Sequence, residues 1–252
     1  MVDSSRRLLG EVTTRLDRLA DLADAGGLDA PVEMIVRALD AGGIVQAFGT
    51  GHSQAFAMEI AGRAGGLIPT NNIALRDVVL LGGQDASILF DGAALEREPT
   101  VVDDLWKTIQ THPEDVFVIA SNSGVNGSVV GMALAAKEHG HGVIAVTSLE
   151  HTARVTPKHP SGARLSEVAD VVIDNLAPYG DTTLTLDGGI GVGAVSSMMA
   201  AFIAQLLTVA VSERLASAGA VPPIYLSANI PAGDDHNNLL ENQYGDRLRR
   251  HA

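Results

Sequence analysis

Ile44-Val-Gln-Ala-Phe48-Gly-Thr-Gly-His-Ser53, running on into residues 54–64, decides how the rest of the chain is read. Ile44 to Phe48 is a short, mostly apolar run bounded by glycines, the pattern of a buried strand. Gly49-Thr-Gly51 is a turn in which backbone amides can approach a ligand closely. Ser53 opens a run of helix formers, Gln54-Ala-Phe-Ala-Met-Glu-Ile-Ala. Strand, glycine turn and helix start together favour an anion, because free N–H groups and the helix dipole point the same way. Val116-Phe-Val-Ile-Ala120 repeats the design, followed by the turn Ser121-Asn-Ser-Gly124-Val-Asn126-Gly-Ser128 and a helix from Val129 to His139. Two such turns at the C-terminal edge of a parallel sheet would grip one phosphate from two sides.

Working outward, Leu8, Val12, Leu16, Leu19 and Leu22 recur at helical spacing before Gly26-Gly27. Asp29 and Pro31 predict the start of a second helix, which Gly42-Gly43 ends. A short second strand is expected at Gly66-Leu-Ile-Pro-Thr70, and residues 71–98 read as irregular, broken at Gly82-Gly83 and Asp91-Gly92. A long loop in a compact domain is usually functional. A helix from Thr100 to about Thr111 carries Trp106 as a packing residue. Val143–Thr147 and Val171–Asp174 are further strands, and a long helix spans about 194–218. Strands alternating with helical runs imply an α/β fold: a three-layer α/β/α sandwich with a parallel sheet of about five strands. No linker or fixed-period repeat divides the chain. One domain over 1–252 is expected, with a helical segment at about 1–42 and a tail at about 220–252.

Composition narrows the function. The 252 residues are 46% hydrophobic but only 4% aromatic, so Ala, Val, Leu and Ile must build the core. A formal net charge of −13 argues against nucleic acid or an anionic membrane as partner, so local donors must hold any anionic substrate. With no cysteine there are no disulfides and no thiolate metal sites. The N-terminus is unlike a signal peptide, and a cytoplasmic location is expected. Val192 to Val211 is free of charge over 20 residues, long enough to span a bilayer. Its Ser196, Ser197, Gln205 and Thr208, and its lack of basic flanks, make it a core or interface helix instead. That helix and the apolar face of the first one predict a homodimer or a dimer of dimers. No His/Asp/Glu spacing reads as a metal site, and no cofactor is expected.

The glycine turn does not suit a dinucleotide. Position 54 is Gln where a third glycine belongs, and Thr70, Asn71 and Asn72 stand where an acid should end the second strand. The paired turns, Gly-x-Gly-x-Ser at 49–53 and Ser-x-Ser-Gly at 121–124, resemble those of the sugar isomerase (SIS) domain family over about residues 30–215. The resemblance implies that Ser53, Ser121 and Ser123 bind the phosphate of a sugar phosphate. Thr50 and Asn122 belong to the same turns, and Asn126 stands where many members have Ser or Thr. A little-characterised bacterial subgroup is matched more closely, through Gly51-His-Ser53, Glu59 with Arg63, His159-x-Ser-Gly, Asp174-Asn175 before Gly180-Asp181, and Ser227-Ala-Asn-Ile-Pro with Asp235-His-Asn237.

The family contains aldose–ketose isomerases, lyases such as N-acetylmuramic acid 6-phosphate etherase, and sensor domains of regulators. Both enzyme types begin by removing the proton at C2. Phosphoheptose isomerases carry a Glu ten residues after the first-turn serine and a Gln-x-x-His motif on a late helix. Here the first position is Arg63 and residues 194–218 hold no His. Elimination on an N-acetyl amino-sugar 6-phosphate is therefore the expected reaction, with isomerisation and phosphosugar sensing as alternatives. Glu59 lies about 9 Å along its helix from Ser53, within reach of the far end of an anchored sugar, and is the first candidate base. Glu96, in the irregular stretch, is the second. His52 inside the turn and His236 in the tail are candidates for protonating a leaving oxygen.

Overall fold

The computed structural model describes residues 2–91 and 94–249. In chain order, helices α1 (Val2–Asp24) and α2 (Asp29–Asp40) precede strand β1 (Val45–Gly49) and helix α3 (Gln54–Ile60). Then come β2 (Thr70–Ile73), α4 (Asp77–Leu80), α5 (Ala94–Arg97) and α6 (Val101–Trp106). β3 (Val116–Ala120), α7 (Gly127–Glu138), β4 (Gly142–Thr147), α8 (Leu149–Arg154), α9 (Leu165–Val168) and β5 (Val171–Asp174) continue the alternation. A hairpin, β6 (Thr182–Thr185) and β7 (Gly191–Ala194), leads into α10 (Ser196–Ser217), and α11 (Gly233–Glu241) lies in the tail.

β1 to β5 form one parallel sheet in the order β2-β1-β3-β4-β5. Alternate side chains of a strand face opposite sides, so the buried strands feed two cores. Val45, Ala47, Val116, Val118, Ile144 and Val146 pack with α2, α3 and α10, and α1 lies across that layer. Phe48, Phe117, Ile119, Val143 and Ala145 pack with α6 and α7 on the other side. The result is the expected three-layer sandwich. α10 is long and apolar enough to cross a membrane, but here Met199, Ile203, Leu207 and Val211 are buried against the sheet layer.

Several boundaries differ from the sequence reading. The second strand starts at Thr70, not Gly66, because the tail claims the earlier residues. Gly65 and Ile68 donate to the carbonyls of Tyr225 and Pro223, and Tyr225 donates to that of Gly66. The helix after the first turn enters through a 3-10 turn, Gly51–Ser53, and ends at Ile60 rather than Ala64. Residues 71–98 contain short helices, the expected break at Gly92 lies outside the described residues, and Asp29 caps nothing. The helix around Trp106 stops there, five residues short of the expected end. The β6–β7 hairpin was not expected, although Asp187-Gly188 between two short runs is a hairpin signal. His141 is buried: it packs beside Phe117, and its Nδ1 lies 3.2 Å from the Asp115 carbonyl.

Candidate active site

The register of β1 and β3 pairs Gly49 with Ala120, so the two turns leave adjacent strands at the same level. Gly51 takes φ +55°, a left-handed conformation suited to glycine, and turns the chain back over the strand ends. The two turns form the floor of a cavity of about 360 Å³. Thr50, His52 and Ser53 enter it from the first turn, and Ser121, Asn122 and Ser123 from the second. Ser121 is buried, and its Oγ accepts the Gly124 N–H at 3.1 Å. Asn122 braces the turn against the neighbouring strands: its Oδ1 accepts from Asn175 Nδ2 at 3.1 Å, and its carbonyl from the Ser148 N–H at 3.2 Å.

Glu96 reaches the cavity from α5, outside the sheet. Three contacts hold it over the turns. Asn126 Nδ2 donates to its carboxylate, and Ser128 Oγ donates to its backbone carbonyl at 2.6 Å. Gly127 is the third: a Cβ there would stand 2.2 Å from the Arg97 carbonyl, so only glycine lets α5 lie this close to the start of α7. The carboxylate also overhangs Gly51, where an added Cβ would be 2.9 Å from its Oε2. Asn126, expected among the phosphate ligands, does not line the cavity and has its side chain turned to Glu96.

Two residues that the sequence reading did not name as site candidates complete the wall. His151 lies on α8, the short helix after β4, and Asp181 precedes the hairpin. His151 Nδ1 accepts the Gly180 N–H at 3.0 Å, and the ring stacks on Tyr179 at 5.4 Å. Burial pushes its pKa down, against the opposing pull of Asp181. A ring whose Nδ1 already accepts a hydrogen bond carries its proton on Nε2 when neutral. His151 is therefore a neutral donor at this site. Asp181, at φ +63°, accepts from the Ser196 N–H at 2.8 Å and Ser196 Oγ at 2.6 Å, capping the start of α10. The signal that would have found both is position: groups just beyond the C-terminal ends of parallel strands line such sites.

The other candidates lie elsewhere within the chain. Glu59 is half-buried on α3, accepts from Gln205 Nε2 at 2.7 Å and pairs with Arg63. It lines an outer groove with Ala55 and Met58, not the cavity of the two turns. His236 sits on α11 with Nε2 2.9 Å from the Ile224 carbonyl, also outside that cavity. Among the described residues, no group of three or more His, Cys, Asp or Glu could hold a metal ion.

This architecture and these turns define a class. The SIS domain family profile matches residues 9–148, more than half of the chain, and the protein belongs to that family. It is 34% identical over 239 residues to a UPF0309 protein of Listeria monocytogenes, covering 94% of each chain. Its fold is similar to that of a phosphoheptose isomerase from Francisella tularensis, with TM-score 0.55 and 14% identity over 84% of this chain and 98% of that one. An E. coli protein solved in complex with a sugar phosphate gives TM-score 0.50 and 15% identity, covering 84% and 90%.

Proposed function

We propose that the protein is a carbon–oxygen lyase acting on an N-acetyl amino-sugar 6-phosphate, such as N-acetylglucosamine 6-phosphate. The observation that carries this reading is the position of a carboxylate, Glu96, over a floor of serine hydroxyls, with a neutral imidazole in the same wall. The hydroxyls of Ser53, Ser121 and Ser123 bind the phosphate, with Thr50 beside them. Glu96 takes the proton from C2, the electron pair forms the C2–C3 double bond, and the C3–O bond breaks. His52, exposed at the turn, gives the departing oxygen its proton, and the Nε2–H of His151 polarises the C1 carbonyl. The sugar-phosphate complex of the E. coli protein agrees with a ligand of this class for this fold. Arg63 and the lack of a His on α10 separate this chain from the phosphoheptose isomerase pattern and favour elimination. The chemistry uses no metal or organic cofactor, and we place the protein in the cytoplasm.

The test is incubation with a panel of sugar 6-phosphates, followed by mass and ultraviolet absorbance. Loss of water, about 18 Da, with a new unsaturated chromophore supports the lyase. A ketose product of unchanged mass replaces it with an aldose–ketose isomerase. Tight binding without turnover replaces it with a sensor. Ser121→Ala with Ser123→Ala is expected to weaken sugar-phosphate binding by about 2–4 kcal/mol, from roughly 1.5–3 per charged hydrogen bond with some non-additivity. Unchanged affinity in calorimetry, with the fold intact, removes the phosphate assignment.

Our reading also makes the working unit a homodimer, alone or within a dimer of dimers. α10 leaves Met198 and Val209 exposed, α1 leaves Leu9 and Leu22, and the hairpin leaves Leu186 and Ile190. Light scattering at micromolar protein should give at least twice the chain mass of 26.1 kDa. A monomer there contradicts the assignment.

A further inference from the structure

A second cavity, of about 620 Å³, opens beyond the C-terminal end of α3 and against the edge strand β2. It shares no lining residue with the cavity of the two turns. Its size lies within the range of small-molecule sites, about 300–1,000 Å³. Arg63, Arg76 and Arg249 all line it, and among the described residues no Asp or Glu does. In a chain of net charge −13, three guanidinium groups around one hollow without a carboxylate in its wall is a local reversal of sign. Arg63 is answered by Glu59 from the adjoining groove. The Arg76 guanidinium has no hydrogen bond or ion pair among the described residues. Arg249 is half-buried; burial pushes its pKa down, and only the charge of the buried Asp77 opposes this.

A separate observation also points to a ligand. Asn72, on β2, is 8% exposed and lines the same cavity, and its Oδ1 is buried with no partner. A buried amide oxygen without a donor is destabilising unless something supplies one. A ligand hydroxyl would do so once the amide turns toward the cavity. Ser227 and Asn229 bring further neutral polar groups from the tail. Guanidinium forks match the oxygens of a phosphate group.

We propose that this cavity is a second anion site that takes a phosphate monoester of a small polyhydroxylated molecule. Its phosphate lies among Arg63, Arg76 and Arg249, and a hydroxyl meets Asn72. The site does not depend on the chemistry proposed for the first cavity. α3 joins the two, starting beside Ser53 and running out at the second cavity's rim, so occupancy of one is placed to alter the other.

Calorimetric titration with inorganic phosphate tests the proposal. Wild-type protein is expected to bind two equivalents per chain, and Arg76→Ala one. Arg76 lies outside the machinery of the first cavity, and an unchanged thermal melt checks that the variant is folded. In the Ser121→Ala, Ser123→Ala variant, N-acetylglucosamine 6-phosphate should still bind with one equivalent. Adding Arg76→Ala should weaken that binding about 10–100-fold, the range for losing one charged hydrogen-bonding group. Full affinity with Arg76→Ala in place, or a single equivalent in wild type that Arg76→Ala does not touch, overturns the site. Binding of inorganic phosphate but not of the monoester overturns the ligand class. If only the first cavity's assignment is wrong, the Arg76-dependent equivalent survives unchanged.

Discussion

Glu96→Gln is expected to lose about 10²–10⁴ in kcat while still binding sugar phosphate, the span of general-base effects. That is about 3–5 kcal/mol of transition-state stabilisation. The substitution keeps the shape, so the contact with Asn126 and the backbone anchor from Ser128 can persist. It removes the basicity alone. Proton abstraction needs a group near C2, and Glu96 is the half-buried carboxylate that overhangs the first turn. Asp181 shares the cavity, but its oxygens already accept from the Ser196 N–H and hydroxyl. The readout is single-turnover rate beside calorimetric affinity. Loss of both together would make Glu96 a binding residue. Solvent deuterium should enter C2 of recovered substrate in wild type wherever proton removal is reversible, and should not in Glu96→Gln. Glu59→Gln serves as the contrast. Full loss there, with Glu96→Gln active, would hand the base to Glu59 and place the site where two copies meet, since Glu59 faces an outer groove within its own chain.

Asp115→Ala is expected to destabilise the fold by about 3–5 kcal/mol, the usual cost of breaking a buried pair by removing one partner. The Asp115 side chain is fully buried at the start of β3. It accepts from the Ile44 N–H at 2.9 Å, the His112 N–H at 3.1 Å and Gln46 Nε2 at 3.2 Å, and it pairs with Arg247 of the tail. Alanine would leave those donors and a largely buried guanidinium without it. Arg247 also donates to the Gly42 carbonyl at 2.8 Å, so the tail should loosen from the sheet first. Urea unfolding measures the total, and hydrogen exchange of residues 223–249 shows where it begins. A change under about 1 kcal/mol would mean that water replaces the lost partner at little cost.

Local chemistry made the framework legible. The strands read at Ile44–Phe48 and Val116–Ala120 are apolar runs bounded by turn residues, and such runs have few alternatives to the middle of a parallel sheet. Their glycine- and serine-rich exits marked the floor of the cavity for the same reason: backbone that turns sharply at a strand end needs those residues. Long-range pairing was not legible. The start of the second strand was decided by residues 223–225, more than 150 positions away, competing for the same backbone groups.

The walls of the cavity depend on such distant pairings too. Glu59 lies six residues from Ser53, and helical rise alone puts it within reach of an anchored sugar. In the fold, α3 carries it to an outer groove beside Gln205. Glu96 is 43 positions from Ser53 and sits in a stretch with little pattern, yet Gly127 lets its short helix press against the start of α7 and aim it at the turn. The fold class and the turns that floor the cavity were legible in the sequence, because strands and turns are set by contacts near in the chain. Which acid and which histidine face that floor emerged only in the folded chain, because a side chain's direction depends on packing between elements far apart in sequence.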